Sequence, residues 1–263
     1  MTGDIAPRYG HDGVTAGPAG PAEPAEPVEA VIFDWGGTLT PWHSIDLAEQ
    51  WQVFARQVHA EEEHARSLAE RILTAEGEAW RRGREDQSSA RLEEILTEAG
   101  VREGDVHREA ALTAYRQFWE PHTFTDDQVR PLWEGLRARG VRVGVLSNTI
   151  WTGDYHRGIF ERDGVAHLID GEVYSSEIPW TKPHLEAFQA AAAAVGVRPE
   201  RAAYVGDRPF EDVHGSQAAG MRAIWVPHSD IPADQQVAVD VTPDAVVQQL
   251  LDVLPVVDAW RRD

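Results

Sequence analysis

Five short apolar runs limit what this chain can become: VEAVIFD at 28–34, VRVGVLSN at 141–148, LIDGEVYSS at 168–176, AAYVGD at 202–207 and RAIWVP at 222–227. Several are apolar on both faces, so each side of any sheet they form needs a cover. Helical patterns supply it, with LEAFQAAAAAVG at 185–196 and FEDVHGSQAAG at 210–220 standing between the later runs. Strands that alternate with helices in this way build a parallel sheet packed on both sides. The expected fold is α/β, a doubly wound parallel sheet with strand order 5-4-1-2-3.

The first two strands are too far apart for a simple crossover. More than a hundred residues separate Asp34 from Val141, where about a dozen would close a parallel connection. The segment from Ile45 to Trp119 reads as helix, with apolar residues at spacings of three and four. Ser88 and Asp105 are the predicted N-caps and Gly100 a predicted C-cap. These features predict a helical cap domain over 42–121, inserted into a core of 28–41 and 122–263. Residues 1–27 include the Pro/Ala/Glu stretch AGPAGPAEPAEP, which buries too little apolar surface to order itself and is predicted to be disordered. Near the other end, VVQQLLDVL at 246–254 reads as helix.

Composition removes several functions. Acids outnumber bases 44 to 24, a formal charge of -20, which argues against nucleic acid as a partner because that binding rests on Lys and Arg neutralising phosphates. There is no cysteine, so disulfides and thiolate metal sites are excluded. No apolar run is long enough to span a bilayer. The expectation is a soluble cytoplasmic protein without a membrane partner. Of the 24 basic residues only Lys182 is a lysine, so any chemistry that needs an amine side chain has one candidate.

In doubly wound sheets, ligands bind outside the carboxyl ends of the strands. The first strand ends in Asp34, the second in Ser147-Asn148 and the fourth in Asp207, and Lys182 precedes the helix leading into the fourth. Asp34 and Asp207, at neighbouring strand ends, offer hard oxygen ligands of the kind Mg2+ prefers. Such a cation would screen the repulsion between a carboxylate nucleophile and a phosphate ester.

VIFDWGGTLT, VLSNT, TKP and YVGDRPFEDVHGSQAAGM occur in this order, and together they resemble the four motifs of the haloacid dehalogenase-like hydrolase superfamily. The resemblance covers roughly Val28 to His228, with the helical insertion where that superfamily carries its helical caps. It implies Asp34 as nucleophile and metal ligand, with the Gly36 carbonyl and Asp207 as further ligands. Asp212 becomes a ligand or an outer partner. Thr38, Ser147, the Asn148 backbone amide and Lys182 would hold the transferring phosphoryl group. The implied activity is hydrolysis of a small phosphorylated metabolite through an aspartyl-phosphate intermediate, with Mg2+ as cofactor.

The chain departs from the phosphatase pattern at Gly36, where such enzymes commonly carry a second aspartate as general acid and base. Three readings stay open. A phosphatase could draw its proton from His43, His122 or a water. A hydrolase of another bond, phosphonate or carbon-halogen, is the second, although the cap has no lysine for a Schiff base and a dehalogenase does not need GDRPFED. A non-catalytic member that binds a phosphorylated ligand is the third.

Overall fold

The first strand divides its side chains between two cores. The computed structural model describes residues 26–41, 43, 46–227, 231 and 236–261. In β1 (Ala30–Phe33), Val31 and Phe33 face one apolar cluster while Ala30 and Ile32 face another. This is the two-residue alternation of a strand covered on both sides. The same division recurs in β2 (Arg142–Ser147) and β4 (Ala202–Gly206), where Val143, Val145, Ala203 and Val205 join the first cluster and Leu146, Ala202 and Tyr204 the second.

Helices α5 (Val129–Ala138), α6 (Gly153–Arg162) and α9 (Val253–Trp260) close the first cluster through residues such as Trp133, Phe160 and Val257. Helix α7 (Leu185–Ala194) closes the second through Phe188 and Ala191. β3 (Gly171–Tyr174) and β5 (Arg222–Trp225) flank the central strands, and the sheet order is β3-β2-β1-β4-β5-β6. All the pairings are parallel. The expected order 5-4-1-2-3 is therefore present, extended by a sixth strand.

That sixth strand, β6 (Ala245–Val246), corrects the reading of residues 246–254 as one helix. Val246 pairs with Trp225, a single 3-10 turn covers Leu250–Asp252, and the helix begins only at Val253. The stretch predicted to be disordered lies outside the described residues except for its last two, of which Glu26 pairs with Arg198 and Arg201. No helix among the described residues is long and apolar enough to cross a membrane.

Between β1 and α5 the chain forms α1 (Leu47–Val58), α2 (Glu62–Asp86), α3 (Leu92–Glu98) and α4 (Arg108–Trp119). Their apolar stripes meet in a third cluster that includes Trp51, Phe54, Ile72 and Tyr115. Ile150 and Trp151, from the loop that follows β2, are buried in the same cluster. Gly100 ends α3 at φ +93, and Val101 N–H reaches back to the Leu96 carbonyl, so the predicted C-terminal glycine stop is present.

The two predicted N-caps are not. Ser88 lies before the start of α3, whose cap position is Arg91, and forms a bridge with Trp180 instead. Asp105 turns its carboxylate to the Arg102 amide, and His107 stands at the cap position of α4. Asp105 is thus claimed by another partner, and Ser88 stands three residues ahead of the cap position.

The α2–α3 loop is joined to the sheet domain by main-chain bonds. Ser89 N–H donates to the Pro179 carbonyl at 3.1 Å, Thr181 N–H to the Gln87 carbonyl at 3.0 Å, and Leu92 N–H to the Ile150 carbonyl at 3.0 Å. Gln87 takes φ 52 to enter this seam.

Candidate active site

The site begins with the turn after β1. Asp34 N–H donates to the Val205 carbonyl at 2.9 Å, which holds the end of β1 beside β4. The chain then turns sharply, with Leu39 and Thr40 N–H both bonded to the Trp35 carbonyl. Gly37 sits at φ +83, and a Cβ there would lie 2.4 Å from Asp207 Oδ2. Glycine is thus required at position 37 both for conformation and for close approach. Gly36 differs, because a Cβ added there meets nothing within 4 Å.

Gly37→Ala is expected to lower folding stability by about 1–3 kcal/mol through strain and a displaced Asp207. Urea unfolding checks this, and a loss under about 0.5 kcal/mol would show that the turn relaxes freely.

On the neighbouring strand, β4 delivers Asp207, whose carbonyl accepts from Trp225 Nε1 at 2.9 Å. Thr38 Oγ1 donates to Asp207 Oδ1 at 3.4 Å. A short π-helical turn over Pro209–His214 then brings Asp212 back under the strand end. A side chain at Gly206 would collide with that carboxylate at 2.4 Å. Asp212 Oδ2 accepts from the Arg208 amide at 2.9 Å. Asp34, Asp207 and Asp212 are all buried, and one carboxylate oxygen of each lies within 4.8 Å of the others.

Lys182 enters from the loop before α7. Its Nζ lies 2.8 Å from Asp34 Oδ1 and 2.7 Å from Asp212 Oδ1, and it donates to Tyr204 Oη at 2.9 Å. Asn148 fixes the lysine's own peptide: Oδ1 accepts from Lys182 N–H at 2.8 Å and Nδ2 donates to the Lys182 carbonyl at 3.0 Å. The Asn148 side chain is therefore committed to Lys182. Ser147, at the end of β2, is buried, and the loop behind it is braced by Thr149 N–H on Ser175 Oγ at 2.9 Å.

The electrostatics follow from burial. Loss of water is the largest influence on Asp34; together with the charge of Asp212 it pushes that carboxyl up to about 6, although Lys182 pulls the other way. Burial opposes the charge on Lys182, but Asp212 and Asp34 outweigh it and raise the lysine above its ordinary value. Lys182 is thus a charged ammonium. Three carboxylates against one ammonium leave the cluster short of positive charge.

The predicted site residues Asp34, Thr38, Lys182, Asp207 and Asp212 thus form one connected group, with Asn148 tied to it through Lys182. His43 and His122 lie outside this group, their rings tilted at 58° with centroids 4.7 Å apart where the chain enters and leaves the four-helix segment. Burial, then the nearby His43, lowers the pKa of His122. His156 was not singled out by the sequence. It is fully buried, edge-on to Trp35 at 4.7 Å, with Nε2 3.1 Å from Thr149 Oγ1, and burial lowers it to about 3. It is a neutral packing partner of the residue that follows Asp34.

A family model described as haloacid dehalogenase-like hydrolase matches residues 28–220. A phosphoserine phosphatase of Thermus thermophilus is 38% identical over 104 residues, 40% of this chain and 41% of that protein. A glyceraldehyde 3-phosphate phosphatase of Methanothermobacter thermautotrophicus is 34% identical over 123 residues, 45% of this chain and 54% of that one. The chain thus spans about half or less of these two relatives. A glyceraldehyde 3-phosphate phosphatase of Methanopyrus kandleri is matched nearly end to end, 27% identical over 89% of this chain and 99% of its own.

Among solved structures, a phosphatase from Thermococcus onnurineus superposes with a TM-score of 0.60 at 21% identity, covering 87% of this chain and 97% of that one. A 2-haloacid dehalogenase from Pseudomonas syringae superposes with a TM-score of 0.61 at 24% identity, covering 89% and 99%. Phosphatase and dehalogenase share the fold equally, so the fold does not choose between their reactions.

Proposed function

The chain belongs to the haloacid dehalogenase-like hydrolases, and from that premise we propose that it is a Mg2+-dependent phosphatase of small phosphorylated metabolites, acting through an aspartyl-phosphate on Asp34. The observation that carries this reading is the convergence of three buried carboxylates within 4.8 Å of one another beside a single ammonium. Displacing a halide needs one carboxylate, and two more beside it would only repel. For a hard divalent cation the oxygens of Asp34 and Asp207 are fitting donors, with the Asp212 charge close behind them. The names of the phosphatase relatives support the same choice.

In this scheme Asp34 and Asp207 hold the cation, with the Gly36 carbonyl as a further ligand. Asp212 has its two oxygens on Lys182 and the Arg208 amide, which suits an outer partner that aligns the lysine. The cation supplies charge that screens the approach of a carboxylate to a phosphate. Asp34 attacks phosphorus, the P–O bond to the alcohol breaks, and water then cleaves the acyl phosphate. Ser147, the Asn148 amide and Thr38 hold the phosphoryl oxygens by hydrogen bonds, and Lys182 acts on them by its charge. Residues 42–121 serve as a cap over the leaving group. A Schiff-base route to phosphonates is disfavoured because Lys182 is the only lysine and two carboxylates keep it protonated.

Two measurements test this. EDTA is expected to abolish hydrolysis of p-nitrophenyl phosphate and Mg2+ to restore it. Retained activity in EDTA, or release of halide from a 2-haloacid without release of phosphate from any ester, would replace this reading with the dehalogenase one.

A further inference from the structure

Lys182 has three N–H donors and no acceptor, and the structure accounts for each of them. Two go to the carboxylates of Asp34 and Asp212, and the third goes to Tyr204 Oη at 2.9 Å. Tyr204 is fully buried in β4, three residues before Asp207. Its own proton is directed to the Leu146 carbonyl at 2.8 Å, the residue before Ser147. One phenol thus joins the ammonium to the end of β2, from which Ser147 and Asn148 project. Phe188 packs edge-on against the Tyr204 ring at 5.1 Å and holds it in place.

Two carboxylates alone would not fix the ammonium. A lysine has a flexible four-carbon stem, and with two strong acceptors it could swing about the line between them. A third acceptor on a rigid ring removes that freedom. Because the third acceptor is neutral, it does so without adding another negative charge to a cluster that already has three.

We propose that Tyr204 is a positioning residue for phosphoryl transfer, acting through Lys182 by setting the ammonium at a fixed distance from the Ser147 end of β2. This rests on the phosphatase reading for its consequence, but the placement of the ammonium is measurable without it. A charge that must stabilise a transition state contributes only where it is already in place. Loss of the phenol oxygen is therefore expected to affect kcat more than KM.

The chain's single lysine makes the test direct, since a protein labelled with 15N-lysine gives one ammonium resonance from the sequence. In the full-length protein its protons are expected to exchange slowly with water, and in Tyr204→Phe about tenfold faster or more. With p-nitrophenyl phosphate and Mg2+, kcat per folded molecule is expected to fall about tenfold with KM within about threefold, the scale of one hydrogen bond to a charged group. Unchanged exchange, or an unchanged kcat, overturns the proposal. Should Tyr204→Phe fail to fold, 3-fluorotyrosine placed at 204 alone keeps the shape and weakens the acceptor, and its exchange rate decides instead. If the unmodified protein releases no phosphate, the phosphatase reading falls, while the exchange comparison still decides whether Tyr204 places Lys182.

Discussion

Asp34→Asn is expected to lower phosphatase turnover by more than about 10⁴-fold while the fold persists. The amide keeps the shape of the side chain but is neither a nucleophile nor an anionic ligand. Lys182 retains Asp212 and Tyr204 as acceptors, so its charge is not stranded. Repulsion among the three buried carboxylates is relieved by the change, and the melting temperature is expected to stay within a few degrees of the parent. Phosphate release together with thermal unfolding on the same sample checks both halves. Turnover within tenfold of the parent would remove Asp34 from the nucleophile's place, whatever the fold does.

Gly36→Asp is the second large effect, and the structure removes an obstacle to it. Nothing lies within 4 Å of a Cβ at this position, and only Gly37 takes a positive φ in this turn. A carboxylate can therefore enter where the chain now has none. General acid catalysis contributes about 10² to 10⁴ in rate and matters most for poor leaving groups. Without it, aryl or acyl phosphates are expected to turn over much faster than alkyl phosphates. The variant is expected to raise alkyl phosphate turnover by about 10²-fold or more and to change aryl phosphate turnover little. Equal parent rates on the two classes would mean that another group already donates the proton, and His43→Ala and His122→Ala would then locate it.

Much of the sheet was legible because its signal is repeated. β1, β2 and β4 each alternate between two apolar clusters, and such runs cannot be satisfied on one side only. The two-residue β6 offers no period to detect, so its Val246 was absorbed into the helix predicted over 246–254. Ser88 has the propensity of a cap, but its partner, Trp180, lies far along the chain and no local pattern points to it.

At the site, the strand-end acids announced themselves by position. The side chain of Asn148 did not, since its bidentate hold on the Lys182 peptide exists only once β2 and the loop before α7 meet. Tyr204 was hidden for a different reason. In the apolar run AAYVGD a tyrosine reads as core, and it is core; its hydroxyl acquires meaning only from the lysine that reaches it. Likewise the sequence singles out Gly36, whereas it is Gly37 that conformation and contact hold in place.

The main-chain seam of Gln87, Ser89 and Leu92 ties the four-helix segment to Thr181 and Pro179 on one side and to Ile150 on the other. Those peptides flank Lys182 and the Ser147-Asn148 end of β2. Any shift of the α2–α3 loop is thereby geared to both jaws that would grip a phosphoryl group. Divergence toward new leaving groups cannot readily proceed at this loop, because each adjustment there would disturb the common half of every substrate. The freer ground for such drift is α1 and α4, which meet the sheet domain through side chains such as Tyr115 against Trp151.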